Sequence, residues 1–209
     1  MDTATYAAIT DLCARLAGRV GDDLLETVRT HYACGEPYLA ESALVLTLAY
    51  EGIGLTGAER ALLAPTLDPD GLADLARVPH VERAPGPFYR FAPRGPADAP
   101  DPGPLSGVWA EVAPAHGGVV LYRAWREPLP GAPDAARWAH LLSVRADADP
   151  LAAQAGLCST AHVRLRDTSP LEVLAEGVAV RPYQAALVAG AVVVWSAQAG
   201  PWRGAWRFP

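Results

Sequence analysis

The chain has 209 residues and 51% of them are hydrophobic, so it can form one medium or two small globular domains and is not intrinsically disordered. It carries 23 acidic residues against 17 basic ones, all of them arginine, which gives a net charge of −6. The sequence has no apolar run of about 18 to 20 residues and no signal-peptide pattern at its start, so we expect no transmembrane helix and a cytoplasmic protein.

The charge is distributed unevenly along the chain. Residues 1–75 contain twelve acids and four arginines, whereas the remainder contains eleven acids and thirteen arginines. Helix N-termini attract acidic side chains, so part of the excess in the first segment has a local structural role. The remaining acids predict a negative surface that favours basic partners and speeds association with them.

Residues 1–66 read as an acidic module of four helices joined by short turns. Apolar residues three and four apart predict the first helix over 5–17, and Asp22 opens a second helix that ends at Gly35. Gly35 can adopt the left-handed conformation that closes a helix, and Pro37 suits the first turn of the next one. The segment CGEP is therefore predicted to be the corner between the second and third helices.

The third helix is predicted to run to about residue 50 and to bury one of two neighbouring apolar stripes. Thr56 and Glu59 then form a T-x-x-E capping box, which predicts the start of a fourth, short helix. The first of the two possible stripes consists of Leu39, Ala43, Leu46 and Tyr50.

Residues 67–106 are predicted to be a short helix followed by a Pro/Gly-rich linker, and residues 107–209 an α+β domain with a mainly antiparallel sheet and helices against one face. The predicted helices are DPLAAQAGLC and RPYQAALVAG. The predicted strands are VWAEVA, GVVLYRAWRE, RWAHLLSVRA, PLEVLAEG, a buried AVVVWSA and a terminal extended segment WRGAWRF. The first two strands would form a hairpin around PAHGG.

Metal ligands occur at helical spacing in two places: His31 with Cys34, and Cys158 with His162. A zinc site that joins the two pairs is conceivable, but neither pair forms a zinc-finger or zinc-ribbon motif. The sequence does not say whether the four side chains meet, and we interpret them as structural residues. We expect no metal and no cofactor, since phosphate-binding glycine motifs are also absent.

The second domain leaves two further functions open. A small biosynthetic or modifying enzyme would place its pocket near His140, Tyr183 and Trp195, although no nucleophile motif surrounds a candidate serine or cysteine. A nucleic-acid-binding regulator would use the arginines that adjoin aromatic residues, such as Arg123 and Arg126. The charge of this part of the chain is close to neutral, so we interpret the tryptophans as core residues instead.

The segment LLETVRTHYACGEPYLAESALVLTLAYEGIGLTGAERALL, which lies in the N-terminal third of the chain, resembles the Maf-type immunity proteins of bacterial polymorphic-toxin and contact-dependent-inhibition systems. The shared features are a helix that ends in Gly35-Glu36, an alanine-containing helix that ends near Tyr50, and a final helix opened by Thr56 and Glu59. The segment departs from that pattern at Pro37. The resemblance implies a helical bundle without catalytic residues that neutralises a cognate toxin by binding it.

These observations predict a non-enzymatic binding protein that sequesters a basic protein partner, such as a cognate toxin, in an immunity-like way. The expected contact residues are the acids Glu36, Glu41 and Glu51, which are taken to be exposed. We expect no membrane partner, and the charge of the chain argues against nucleic acid. The sequence does not fix the oligomeric state or the identity of the partner.

Overall fold

The computed structural model describes residues 3–86 and 88–197. The chain divides into two compact units, Met1–Pro87 and Phe88–Pro209. The boundary therefore lies inside the segment that was predicted to be a linker, and residues 88–106 belong to the second unit. The predicted extended segment at 202–208 lies outside the described residues.

Within residues 3–86, the regular elements of the first unit are helices, joined by turns and two isolated β-bridges. Three of its predicted boundary features are confirmed: Gly35 has φ +77°, Pro37 occupies the first turn of the third helix, and Thr56 and Glu59 form the reciprocal capping box. The short helix predicted after residue 66 is also present. The elements are α1 (Thr3–Leu16), α2 (Asp22–Ala33), α3 (Pro37–Glu51), α4 (Gly57–Leu63), a 3-10 turn (Ala64–Thr66) and α5 (Pro69–Leu75).

A buried ion pair ties α1 to the start of α4. Arg19, which follows α1, is 6% exposed, and its Nη1 donates to Glu59 Oε1 at 2.5 Å. Arg19 Nη2 also donates to the carbonyl of Gly54, and Glu59 Oε2 accepts from the backbone N–H of Thr56. One guanidinium thus connects α1, the α3–α4 loop and the N-terminus of α4.

The second unit is an α+β fold, as predicted from the sequence. The described chain forms a five-stranded mixed sheet, in which β3 and β4 are parallel and the other paired strands are antiparallel. The strands are β1 (Tyr89–Ala92), β2 (Gly118–Pro128), β3 (Arg137–Val144), β4 (Leu171–Ala175) and β5 (Val192–Ser196). The helices are α6 (Gly103–Val112), α7 (Pro150–Leu165) and α8 (Pro182–Gly190), and a 3-10 turn (Ala113–His116) follows α6.

Two predicted elements at the start of this unit were wrong. The segment VWAEVA belongs to helix α6, because Leu105, Trp109 and Ala113 recur every four residues and are all buried on one side of the helix. The Pro-rich segment before it contains strand β1, which pairs with the end of β2. The predicted hairpin around PAHGG is therefore replaced by a helix-to-strand connection.

Strands β1 and β5 pair with the same edge of β2, one after the other. Residues 89–92 pair with 128–125, and residues 192–196 pair with 123–120. The two strands therefore run in the same direction and together line one side of β2, while β3 lines the other side. Strand β5 was predicted to be buried, but this prediction was wrong, since Val193 is 57% exposed on this edge.

Helices cover both faces of the sheet, not one face as predicted. On one face, Leu121 and Leu142 pack with α6 and α7 in a core that includes Trp109 and Leu157. On the opposite face, α8 contacts the sheet through Gln184, which donates to the buried Glu172 at 3.1 Å. Successive strand residues point to opposite faces, which explains why both alternating sets on β3 are buried.

The end of α8 approaches the backbone of β1 closely at Gly190. A Cβ added to Gly190 would lie 2.5 Å from the carbonyl oxygen of Phe91, whereas one added to Gly107 in α6 would meet nothing within 4 Å. We expect Gly190→Ala to lower the free energy of unfolding of the second unit by about 1 to 3 kcal/mol.

Gly107→Ala is the matched control, because it should raise that free energy by up to about 1 kcal/mol through helix propensity. Denaturant unfolding followed by tryptophan fluorescence measures both effects, since all six tryptophans lie in the second unit. Equal stability changes in the two variants would contradict the close approach at Gly190.

Candidate functional site

The outer face of α3 carries large apolar side chains that are exposed. The helix packs against α2 and α5 through Ala40, Leu44, Val45 and Leu48, which are all buried. The sequence allowed two neighbouring stripes to be buried. The structure buries the second of them and not the stripe formed by Leu39, Ala43, Leu46 and Tyr50. The exposed residues are Tyr38 (64%), Leu39 (48%), Leu46 (51%) and Tyr50 (93%), and we call this set the α3 outer face.

The three acids predicted to contact a partner are placed differently by the structure. Glu36 and Glu51 are exposed at the two ends of α3, so they flank the α3 outer face. Glu41 is only 8% exposed, and its Oε1 accepts a hydrogen bond of 2.6 Å from the Tyr32 hydroxyl. The predicted exposure of Glu41 was therefore wrong, because the side of α3 that bears it packs against α2.

The Tyr32–Glu41 hydrogen bond is a structural contact inside the first unit. Burial, followed by the hydrogen bond and charge of Glu41, raises the pKa of the Tyr32 hydroxyl above its ordinary value. The hydroxyl therefore stays protonated and donates to the carboxylate. This contact helps to fix which stripe of α3 faces inward.

An open groove lies at the C-terminal end of the α3 outer face. It is lined by Leu46, Thr47, Ala49, Tyr50 and Glu51 from α3 and by Arg77, which follows α5. The Arg77 guanidinium lies 3.4 Å from the Asp74 carboxylate, so its charge is already partly compensated. The groove thus combines apolar walls with one acid, Glu51, and one arginine, Arg77.

Arginines of the first unit form ion pairs with acids of the same unit. Arg15 pairs with Asp11 at 2.9 Å, and Arg19 pairs with Glu59. The His31 imidazole lies 2.8 Å from Glu36 at the corner between α2 and α3. Because Met1–Pro87 contains thirteen acids and six arginines, internal pairing leaves the unit with an excess of negative charge.

In the second unit, the structure places His140 in a buried polar cluster. His140 is 0% exposed on β3, and its Nε2 lies 3.1 Å from Ser106 Oγ on α6. Arg123, directly opposite His140 on β2, donates to the same hydroxyl at 3.4 Å and lies over the Trp138 ring. His140 Nδ1 has no hydrogen-bond partner among the described residues.

This cluster is poorly suited to general base catalysis. Burial, with a smaller contribution from the Arg123 charge, lowers the pKa of His140 to about 3. A general base works best when its pKa is near the working pH, so a histidine shifted this far accepts a proton from Ser106 only weakly. The arrangement instead resembles a neutral core histidine held by a hydrogen bond and by the edge of Trp109.

The other two residues of the enzyme alternative lie on different faces of the sheet. Tyr183 on α8 contacts Arg126, whose guanidinium donates to its hydroxyl at 3.2 Å, and Arg126 lies on the opposite sheet face from His140. Trp195 on β5 pairs with Leu121 and packs against the core under α6 and α7. Tyr183 is therefore separated from His140 by the sheet, whereas Trp195 lies on the same face as His140.

Among the described residues, Arg123 and Arg126 contact aromatic rings inside the second unit. Trp125 and Trp138 are both buried and pack edge to face, as the core interpretation predicts. Arg126 is fully buried and lies 4.2 Å from the centre of the Tyr89 ring. These rings and guanidinium groups do not form an exposed platform on which nucleic-acid bases could stack.

Sequence reasoning missed two features of these sites. Ser106 lay in a segment assigned to the linker, although the helical spacing of Leu105 and Trp109 could have placed it on α6. The exposure of the α3 outer face was missed because α3 is apolar all round, a pattern that is typical of a helix contacted on more than one side. The apolar character of α3 on all sides was therefore the sequence signal that could have revealed this exposed face.

The structure also bears on metal binding and membrane insertion. Within residues 3–86 and 88–197, no three His, Cys, Asp or Glu side chains come close enough together to hold a metal ion. In the same described ranges, no helix is both long and apolar enough to cross a bilayer.

Comparisons with family models, with curated proteins and with solved structures find no match to this chain.

Proposed function

We propose that this protein is a non-enzymatic binding protein that sequesters a basic protein partner, in the manner of an immunity protein that neutralises a toxin. The observation that carries the proposal is the α3 outer face, where four large apolar side chains are exposed on one helix of an acidic unit. Exposed apolar groups rimmed by charge mark interaction sites on soluble proteins.

The composition of this surface supports a protein partner. Tyrosine is enriched among the residues that dominate interface energetics, and Tyr38 and Tyr50 are the most exposed members of the α3 outer face. Glu36 and Glu51 lie at its ends, where charges of a rim mainly affect association rate. The apolar centre would supply affinity, and the acidic ends would favour a cationic partner.

The resemblance of residues 24–63 to Maf-type immunity proteins agrees with this proposal. The enzyme alternative has less support, because His140 is buried with a lowered pKa and is separated from Tyr183 by the sheet. The nucleic-acid alternative also has less support, because Arg123 and Arg126 contact aromatic rings inside the second unit.

Affinity capture with paired variants tests the proposal. The full chain is immobilised and incubated with extract of its native host, beside a variant with Leu46→Asp and Tyr50→Asp. We expect the wild-type chain to retain a basic protein that the variant loses, because each aspartate would put an uncompensated charge into the apolar contact. The retained protein is then purified, and its affinity for both chains is measured by calorimetry.

Val163→Asp is the matched control. Val163 is 72% exposed on α7 in the second unit, so this change also replaces an exposed apolar side chain by an acid. The control should retain the same protein as the wild-type chain. Equal retention by all three chains, or retention of acidic proteins alone, would contradict the proposed surface.

A further inference from the structure

Three of the exposed apolar residues of α3, together with the half-buried Ala43, follow a heptad-like spacing. Leu39, Ala43, Leu46 and Tyr50 are separated by four, three and four residues, and this spacing places them in one seam along the outer side of the helix. Over Leu39 to Tyr50 the seam is about 16 Å long, at 1.5 Å per residue. Such a seam is the pattern that packs against a second helix, with side chains of each helix inserted between those of the other.

The side chains beside the seam permit a close approach. Ser42, Thr47 and Ala49 are small, and each is half-buried on the flanks of the seam. Small residues at a helix interface allow the two backbones to pack at the short end of the usual interaxial range of about 8 to 10 Å. A helix would therefore fit the seam along its length, with Leu46 and Tyr50 as the large side chains at one end.

Charge argues against a second copy of this chain as the occupant. In a parallel pair of α3 helices, Glu36 would face Glu36 and Glu51 would face Glu51. In an antiparallel pair, Glu36 of each copy would approach Glu51 of the other. Both arrangements bring like charges together at both ends of the seam, and the acid excess of the first unit adds to the repulsion.

We infer that the α3 outer face docks an amphipathic helix of its partner, with aliphatic residues along the seam and lysines or arginines near both ends. This inference rests on the proposed function and specifies the structural element that the partner presents. The aliphatic side chains pack between Leu39, Leu46 and Tyr50. The basic side chains lie opposite Glu36 and Glu51, about one α3 length apart.

Binding of designed peptides to the full chain tests the inference. The probe is a labelled peptide of about three heptads with leucines at the seam positions and lysines at the flanks and ends. A second peptide replaces the lysines by glutamates, and a third keeps the lysines but has two central prolines that prevent a helix. Fluorescence anisotropy at low salt measures the affinity of each peptide.

We expect the helical lysine peptide to bind about tenfold or more tightly than either of the other two. Leu46→Asp should weaken its binding by about tenfold or more, and Val163→Asp should leave it unchanged. The combined change Glu36→Gln and Glu51→Gln should reduce the preference for lysine over glutamate, and added salt should do the same. Circular dichroism of each variant confirms that α3 remains folded.

Three outcomes would overturn the inference. The first is equal binding of the proline-containing peptide, since the occupant would not need to be helical. The second is absence of binding by the helical lysine peptide, and the third is a dimer of the free chain that Leu46→Asp dissociates. If affinity capture still retains a basic protein through Leu46 and Tyr50, the proposed function stands and only the helical occupant is wrong.

Discussion

Replacement of Arg19 by methionine is expected to lower the free energy of unfolding of the first unit by about 3 to 5 kcal/mol. The change leaves the Glu59 carboxylate, which is 1% exposed, without the guanidinium that neutralises it. It also removes a donor to the Gly54 carbonyl, so the loop between α3 and α4 loses a contact. Denaturant unfolding followed by far-ultraviolet circular dichroism measures the change in the helical first unit.

Two variants separate the buried charge from other effects. Arg15→Met on the same helix breaks the partly exposed pair with Asp11 and should cost less than about 1 kcal/mol. The double change Arg19→Met and Glu59→Gln should regain much of the lost stability, because no unpaired charge is then buried. If Arg19→Met costs no more than Arg15→Met, the buried pair does not hold α1 and α4 together.

Acidification is expected to destabilise the second unit through His140. Its pKa is about 3 in the folded chain and about 6.5 when unfolded, so the unfolded state binds the proton more tightly. The contribution of His140 is therefore complete above about pH 6.5 and is lost as the pH falls towards 3. By pH 4.5 this loss amounts to about 2 to 3 kcal/mol.

The measurement compares free energies of unfolding at pH 7.5 and pH 4.5 by tryptophan fluorescence, in the wild-type chain and in two variants. His140→Gln keeps a polar group near Ser106 but does not titrate, so it should show a smaller loss on acidification. His162→Gln alters an exposed histidine of α7 and should behave like the wild-type chain. The same acid-induced loss in all three chains would show that His140 is not responsible.

Much of the fold followed from local sequence signals. Gly35, Pro37 and the Thr56–Glu59 capping box determine helix boundaries through backbone conformation and hydrogen bonds that involve a few neighbouring residues. The alternation of Trp138, His140, Leu142 and Val144 likewise identified one buried face of β3. These features were predictable because their physical causes lie within a short segment.

The errors arose where the structure depends on distant partners. Strand β1 is only four residues long and is fixed by its pairing with β2, so a Pro-rich surrounding sequence gave little local evidence of it. Helix α3 is apolar on several sides, and only its packing against α2 and α5 decides that Leu44 and Leu48 face inward. The same packing buries Glu41, which no pattern within α3 could reveal.

The arrangement of β1 and β5 along one edge of β2 has a consequence for synthesis on the ribosome. These two strands are separated by about a hundred residues of chain, yet both must pair with β2 to complete that edge. Residues far apart in sequence form contacts late, because loop closure must come first. We therefore expect the helical first unit to fold during translation, and the sheet to be finished only after residues 192–196 have emerged.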